Sequence, residues 1–135
     1  MKGVVNMTQS PASYIQNDRY ANSLGVQLIT QDEESVTCAL EVKNEHKNGL
    51  GSVHGAVIFA LADIAFASAC NAHQLAIGMQ ADIRYLNKPQ GENLSARAKL
   101  ISGSKRISHY EVSIFDNIGT DVAVFTGTAY QFPDR

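Results

Sequence analysis

The sequence predicts an α+β protein in which one curved antiparallel sheet wraps around one long central helix. Residues 56–70 are apolar except for Asp63 and Ser68, and a helix that is apolar on nearly every side needs cover on every side. After this stretch, four segments alternate apolar and polar residues with the period of two that a strand requires. A curved sheet built from such strands supplies the cover that the helix needs.

The other elements are assigned from turn and cap signals along the chain. Gly25 is a natural end for a helix, and the acidic turn QDEE separates two β-rich runs, which indicates a hairpin. Because short turns join the last four strands, the sequence predicts that they form an antiparallel meander. The predicted elements are a short helix at 13–25, strands at 26–31 and 35–42, a loop at 43–52, and strands at 74–87, 94–102, 108–116 and 120–132.

Length and composition are those of one globular domain. The chain has 135 residues, of which 44% are hydrophobic and 18% charged, and a chain of this length builds one core. We expect a flexible N-terminal tail over 1–12 and a single domain over 13–135. The net charge of −2 without a basic block argues against a nucleic-acid partner, and the longest apolar run is too short to cross a bilayer. The sequence therefore predicts a cytoplasmic protein without a membrane partner.

The cysteines and histidines show no metal-binding spacing. Cys38 and Cys70 stand in apolar surroundings, so they are predicted to be small core residues. His46, His73 and His109 are predicted to lie at the surface. We therefore expect no metal site.

Asp63 stands in the middle of the apolar helix and needs an explanation. An isolated ionised carboxylate taken out of water is very costly, so a buried one is paired, hydrogen-bonded, protonated or used. Two interpretations follow from this. Asp63 is either a structural side chain that caps a neighbouring chain or, since buried carboxylates are scarce, a functional group.

The residues before the helix suggest what this carboxylate acts with. The segment NGLGSVHG, residues 48–55, contains three glycines, which let the backbone approach a ligand closely. A helix N-terminus presents unpaired N–H groups and the positive end of the helix dipole. Such a terminus suits a carbonyl oxygen that becomes an oxyanion, and Gly55 leaves its own N–H unobstructed.

The spacing of Gly55 and Asp63 predicts an oligomer. The two residues are eight positions apart, which is roughly 12 Å along a helix axis at about 1.5 Å per residue. Both groups therefore act on one carbonyl only if they come from different subunits. Two such helices lying antiparallel about a twofold axis predict a homodimer with two identical sites.

The motif HGA…FALAD…ACN over residues 54–71, together with Asn48, resembles a known family. It is similar to the hotdog-fold acyl-CoA thioesterases of the phenylacetic acid degradation type, within the 4-hydroxybenzoyl-CoA thioesterase superfamily. The resemblance extends from about residue 20 to residue 132. It implies the hotdog fold, in which a sheet wraps around a long helix, and the hydrolysis of a thioester of coenzyme A.

The resemblance also implies roles for four residues. Asp63 resembles the catalytic carboxylate, which is a nucleophile or a general base for water, and Gly55 resembles the backbone donor that polarises the thioester carbonyl. Asn48 resembles the side chain that holds the nucleophile or the water, although Asn-Gly is also a common turn pair. His54 resembles the histidine near the thioester, although a histidine at a helix start is often a cap. The family has no metal and no bound organic cofactor.

Gly78 marks a departure from some members of the family. Those relatives carry a serine at this place on the strand after the helix, where it helps to position the water. The strand here reads AIGMQADIRY, so water positioning falls to Asn48 alone.

Coenzyme A carries phosphates, so cations are expected at the mouth of the site. Lys105 and Arg106 lie in a turn between two strands and are the first candidates, since arginine pairs phosphate oxygens bidentately and lysine acts as a point charge. Lys88 is a second candidate. Phe59, Phe66 and Tyr85 are either walls of an apolar or aromatic acyl pocket or parts of the core.

The predicted function is hydrolysis of an aromatic or medium-chain acyl-CoA by a homodimer, which is expected to pair into a tetramer. The alternative is a non-catalytic module of the same fold that binds an acyl-CoA as a regulatory ligand. A dehydratase of this fold needs a histidine and a carboxylate placed for proton transfer at carbon. The sequence has no HFP-type segment to support that third interpretation.

Overall fold

The structure is a computed structural model that describes residues 9–133. Its secondary structure is, in chain order, α1 (Pro11–Asn17), α2 (Arg19–Leu24), β1 (Gln27–Gln31), β2 (Ser35–Glu41), a 3-10 turn (Asn44–His46), α3 (Gly55–Cys70), β3 (Ala76–Tyr85), β4 (Asn93–Gly103), β5 (Ile107–Asp116) and β6 (Asp121–Gln131).

The six strands form one antiparallel sheet that wraps around α3, in the order β1-β2-β4-β5-β6-β3. This confirms the predicted α+β architecture with its central helix. Most of α3 is buried, because strand residues pointing to the inner face of the sheet pack against it. No helix among residues 9–133 is both long enough and apolar enough to cross a membrane.

The predicted four-strand meander is wrong for β3. Only β4, β5 and β6 form a meander, whereas β3 pairs with β6 at the edge of the sheet. Residues 86–92 then carry the chain across the ends of β6 and β5 to β4. Leu86 N and Asn87 N donate to Val122 O at 2.8 and 3.2 Å, and Gln90 N donates to the Asp116 carboxylate at 2.8 Å. The alternation of apolar and polar residues within a strand does not show which strand it pairs with. The position of β3 beside β6 depends on these long-range hydrogen bonds.

The predicted helix over 13–25 is two short helices. Asp18 breaks them and caps α2, since its carboxylate accepts a hydrogen bond from Ala21 N at 2.9 Å. Gly25 ends α2 with a φ of 85°, in the left-handed region that glycine adopts without strain. Residues 1–8 of the predicted tail lie outside the described residues, whereas Pro11 and Ala12 belong to α1.

The cysteine prediction is confirmed and the one for His46 is wrong. Cys38 and Cys70 are buried free thiols. His46 is also buried, because both of its ring nitrogens have partners. Nδ1 accepts from Lys43 N at 2.9 Å and Nε2 lies 3.0 Å from Leu24 O, so the ring ties the loop before α3 to the end of α2.

The ring of Phe66 on α3 fills a space left by two strand glycines. A Cβ at Gly127 of β6 would lie 2.8 Å from Cε1 of Phe66, and a Cβ at Gly78 of β3 would lie 3.1 Å from Cε2. The ring also packs against Tyr110 and Phe125, with centroids 5.7 and 5.8 Å away. Since the ring is enclosed on all these sides, it has little room to give way.

Gly127→Ala should therefore destabilise the protein by about 1–3 kcal/mol, the usual cost of overpacking a core. Chemical denaturation measures this free energy of unfolding. Gly103→Ala is the matched control, because its Cβ would meet nothing closer than 3.6 Å. Equal stability of the two variants would contradict the packing assigned to Phe66.

Candidate active site

His54 caps the N-terminus of α3. Its Nδ1 accepts a hydrogen bond from Ala56 N at 3.0 Å, so in the neutral ring the proton is on Nε2. The side chain is exposed in the single chain. A cap of this kind satisfies one of the orphan donors of the helix and leaves Nε2–H facing outward beside the first turn.

Gly55 presents a free N–H at the start of the same helix. Among the described residues, no acceptor is hydrogen-bonded to this N–H. The carbonyl of Gly55 accepts from the Tyr85 hydroxyl at 3.0 Å, and a Cβ at this position would lie 3.4 Å from that oxygen. Tyr85 thus fixes the first peptide of the helix against the end of β3, a role that sequence analysis missed.

Asn48 shapes the loop that leads into the helix. Its Oδ1 accepts from Leu50 N at 2.9 Å and Ser52 N at 3.1 Å, and its own N–H donates to Ser52 O at 2.7 Å. Gly51 completes the turn with a φ of 81°. The side-chain oxygen is therefore engaged locally, whereas Nδ2 has no acceptor within residues 9–133.

Asp63 is exposed in the single chain, so the expectation that it is buried is wrong. Within residues 9–133, the sheet and the N-terminal helices leave one stripe of α3 uncovered, formed by Ala56, Phe59, Asp63 and Ala67. Uniform apolarity concealed this stripe, because its other members are as apolar as the buried face. Asp63 makes no hydrogen bond through its side chain to the described residues.

The surroundings of Asp63 favour its protonated form more than water does. Neighbouring apolar atoms remove part of the hydration of its carboxylate, and this partial desolvation raises its pKa above the usual value of 3.8. The negative charge of Asp18 raises the pKa further. A carboxylate with a raised pKa and no partner is typical of a group kept for proton transfer or nucleophilic attack.

Lys105 and Arg106 line a cleft at the end of the sheet that is opposite to Gly55. The cleft has a volume of about 310 Å³ and is bordered by Gln74, Ser104, Lys105, Arg106 and Gln131. Gln131 Nε2 donates to Ser104 O at 2.9 Å and so holds the turn in place. β3 runs from this end to Tyr85 beside Gly55, a length of roughly 30 Å at about 3.3 Å per residue.

The remaining predicted site residues are distributed between the two ends. Lys88 is exposed and follows β3 at the Gly55 end, so a single chain does not bring it together with Lys105 and Arg106. Phe59 is half-buried on the stripe of α3, edge-on to Phe125 at 5.5 Å. Gly78 lies against the Phe66 ring and carries no polar side chain toward the helix.

The described residues contain no group of three or more His, Cys, Asp or Glu side chains that is placed to hold a metal ion. The groups that the described residues do present are a carboxylate with a raised pKa, an N–H at a helix start and an imidazole ring. These are the groups that acyl transfer to water requires.

Comparison with known proteins identifies the family. A family model described as the thioesterase superfamily matches residues 50–123. The acyl-coenzyme A thioesterase PaaI of Escherichia coli (strain K12) is 32% identical over 125 residues, which cover 91% of this chain and 89% of that protein. The chain belongs to the thioesterase superfamily.

Solved structures agree with this assignment. The structure of the E. coli PaaI protein from the phenylacetic acid degradation operon superposes with a TM-score of 0.83 at 31% identity, covering 88% of each chain. A mutant of the phenylacetic acid degradation protein PaaI from Thermus thermophilus gives a TM-score of 0.81 at 30% identity, covering 85% of this chain and 100% of that one. This thioesterase thus has the hotdog fold and is of the PaaI type, as the motif around Asp63 predicted.

Proposed function

We propose that this thioesterase hydrolyses acyl-CoA thioesters at a site that two copies of the chain build together. The observation that carries the proposal is the stripe of α3 that residues 9–133 leave exposed, on which the Asp63 carboxylate lies among apolar residues without a hydrogen-bond partner from that range. The relative from E. coli is an acyl-coenzyme A thioesterase, which supports the same class of substrate.

In the proposed reaction, Asp63 of one subunit and Gly55 of the partner subunit act on one thioester. Asp63 either takes a proton from a water that attacks the carbonyl carbon or attacks that carbon itself, to form an anhydride that water then cleaves. The carbonyl oxygen gains negative charge and accepts the N–H of Gly55, with the helix dipole adding to the stabilisation. The C–S bond breaks, coenzyme A leaves as the thiolate, and the acid is released.

Two surfaces of the single chain support a twofold dimer. The stripe of α3 exposes Phe59 and two alanines to solvent, and a second copy of the helix would cover them. Among residues 9–133, β3 pairs on one side only, and its Ile77 and Met79 are 58% and 60% exposed. An unpaired edge of this kind is a template for another strand, and two β3 strands running antiparallel place the α3 helices side by side.

The same arrangement brings a positive cleft to each site. When the two β3 strands run antiparallel, the Gly55 end of the partner subunit lies along the Lys105 end of this chain. Coenzyme A phosphates would then meet Lys105 and Arg106 of one subunit and Lys88 of the other. We further propose a cytoplasmic location, pairing of dimers into tetramers, and activity without a metal or organic cofactor.

The double variant Lys105→Ala/Arg106→Ala should raise KM for acyl-CoA roughly tenfold while kcat changes little, because partly exposed ion pairs contribute up to about 1 kcal/mol each. Initial rates over a range of substrate concentrations and of salt measure this. Lys99→Ala, which removes an exposed lysine from β4, is the control. An unchanged KM would remove these residues from the phosphate site.

Release of free thiol tests the proposed function. Acetyl-, octanoyl-, benzoyl- and phenylacetyl-CoA are incubated with the purified protein, and a thiol reagent records free coenzyme A. Sedimentation velocity on the same sample measures the oligomeric state. Catalytic release by a dimer or a larger oligomer supports the proposal, whereas a monomer would overturn the shared site.

A regulatory module that binds acyl-CoA is the second candidate, and Gly78 favours it. No hydroxyl stands at this position to hold a water, since Gly78 packs against Phe66. Binding of acyl-CoA by calorimetry without release of thiol would support this second function.

A further inference from the structure

Helix α1 packs against α3 beside the proposed site. Pro11 and Ile15 of α1 are buried, and Tyr14 lies next to them, half-buried against the core. Residues three and four apart on a helix share one face, so Tyr14 belongs to the face of α1 that is turned toward α3.

Both ends of α1 are fastened. Gln9 N donates to Asn71 O at 3.2 Å, just beyond the C-terminus of α3. At the other end, Asn22 Nδ2 donates to Ile15 O at 3.0 Å and to Asp18 O at 2.7 Å. The helix is therefore held in a fixed position over α3.

Distances along the two helices place Tyr14 near Asp63. Asp63 lies eight residues before Asn71, roughly 12 Å along the axis at about 1.5 Å per residue. If α1 runs back along α3 from the Gln9 contact, Tyr14 reaches a level between Cys70 and Asp63, and Asp18 reaches that of Asp63. Besides burial, the nearby charges of Asp18, Asp63 and Cys70 raise the pKa of the Tyr14 phenol. Their proximity agrees with this placement.

Between Tyr14 and Asp63 the surface of α3 is small and apolar. Ala67 is one helical turn after Asp63, on the same stripe, and is half-exposed. Its side chain is a single methyl group, so it covers little of the helix surface between Asp63 and the level of Tyr14. The Tyr14 hydroxyl has no hydrogen-bond partner among residues 9–133.

We propose that Tyr14 is a specificity-determining residue, whose ring forms the end wall of the acyl pocket and sets the length of acyl group that fits above Ala67. This inference rests on the proposed function and adds to it the residue that limits the substrate. Short and compact aryl acyl groups fit the space in front of the ring, and a long straight chain meets it.

Burial and the nearby negative charges keep the Tyr14 side chain uncharged. Desolvation raises the pKa of the Tyr14 phenol above 10.0, and the carboxylates of Asp18 and Asp63 raise it further. The phenol is therefore uncharged throughout the pH range in which a carboxylate works as a base.

Replacement of the ring should change chain-length preference. In Tyr14→Ala, the ratio of kcat/KM for dodecanoyl-CoA to that for butanoyl-CoA should rise at least about tenfold, since one methylene in an apolar pocket already discriminates by about 10-fold or more. Tyr14→Phe keeps the ring and should leave the ratio unchanged. Tyr14→Trp enlarges the wall and should lower the ratio. Tyr14→Leu, which fills the core better than alanine, should raise it and covers the case in which Tyr14→Ala does not fold.

Tyr20→Ala is the matched control, because Tyr20 lies on α2 and is 58% exposed; its ratio should equal that of the wild type. Equal loss of kcat/KM for both substrates in the Ala and Leu variants would show a structural role only and overturn the proposal. If the wild type releases no thiol, the function proposed above fails. The role of Tyr14 is then tested by calorimetry, as the ratio of the dissociation constants for dodecanoyl-CoA and butanoyl-CoA in each variant. An unchanged ratio there overturns it too.

Discussion

Replacing Asp63 with asparagine should lower kcat for acyl-CoA hydrolysis by about 10²- to 10⁴-fold, the range that a positioned acid–base group contributes. The amide keeps the shape of the side chain and can neither take a proton from water nor attack carbon. Thiol release under saturating substrate measures the effect. Asp121→Asn, at an exposed carboxylate at the start of β6, is the control and should retain full activity. A rate for Asp63→Asn within tenfold of the wild type would exclude the proposed role.

The pH dependence of kcat/KM should also depend on the ionisation of Asp63. Because the base works only when ionised, kcat/KM should fall as the pH drops through the pKa of Asp63. Partial desolvation and the charge of Asp18 raise this pKa above 3.8, so the acid limb should lie above that pH. Removing the Asp18 charge with Asp18→Asn should move the limb to lower pH, and asparagine is also a good N-cap.

Mixing two inactive variants tests whether the Asp63 and the Gly55 of one site come from different subunits. Gly55→Pro removes the N–H at the first helical position, where proline is tolerated, and His54 already has the extended backbone that precedes proline, with φ −65° and ψ 134°. A mixed dimer of Asp63→Asn and Gly55→Pro chains has one site with both defects and one intact site. After subunit exchange about a quarter of wild-type activity should return, whereas a site within one chain would stay inactive.

Local patterns in the sequence were sufficient to locate the helices and strands, but not to predict which of them pair or pack together. The apolar run of α3 and the alternation of the strands reflect which face each side chain turns to the core, and this is visible residue by residue. The placement of β3 beside β6 depends on bonds from Leu86 and Asn87 to Val122, 35 or more residues away. His46 is buried for the same kind of reason, through its distant contact with Leu24.

The candidate site can be predicted from the sequence only as a spacing and a set of proposed roles. The separation of Gly55 and Asp63 follows from helix geometry alone, and the family motif supplies their proposed roles. The exposed stripe around Asp63 was concealed because Ala56, Phe59 and Ala67 are as apolar as the buried residues. The contact of α1 with α3 and the tyrosine hydroxyl on Gly55 O arise from packing between distant segments, which no periodicity reports.

Asp116 carries the largest expected effect on stability. This carboxylate is buried at the end of β5 and accepts four backbone N–H groups. Oδ2 takes Gln90 and Gly91 at 2.8 and 2.9 Å, and Oδ1 takes Ile118 and Thr120 at 3.1 and 2.8 Å. One side chain therefore joins the loop after β3 to the turn between β5 and β6.

Asp116→Ala should lower the free energy of unfolding by about 3–4 kcal/mol, because hydrogen bonds to a charged group contribute about 1.5–3 kcal/mol each and their donors are left unsatisfied. Asp116→Asn should lose nearly as much, since its NH2 group faces two N–H donors. Denaturant unfolding measures both, with Asp121→Asn as the control. A loss below about 1 kcal/mol would show that water replaces the carboxylate at these donors.

Acid should remove the same contribution from the wild type. Burial alone would raise the pKa of Asp116, but the N–H groups of Gly91, Thr120 and Gln90 outweigh it and hold the pKa far below 3.8. A carboxyl whose folded pKa is depressed stabilises the fold above its unfolded pKa and loses that effect as the pH falls toward the folded value. The stability gap between wild type and Asp116→Asn should therefore be constant near neutral pH and narrow below about pH 4. A gap that stays constant down to pH 3 would mean that the side chain acts through its shape and not through its charge.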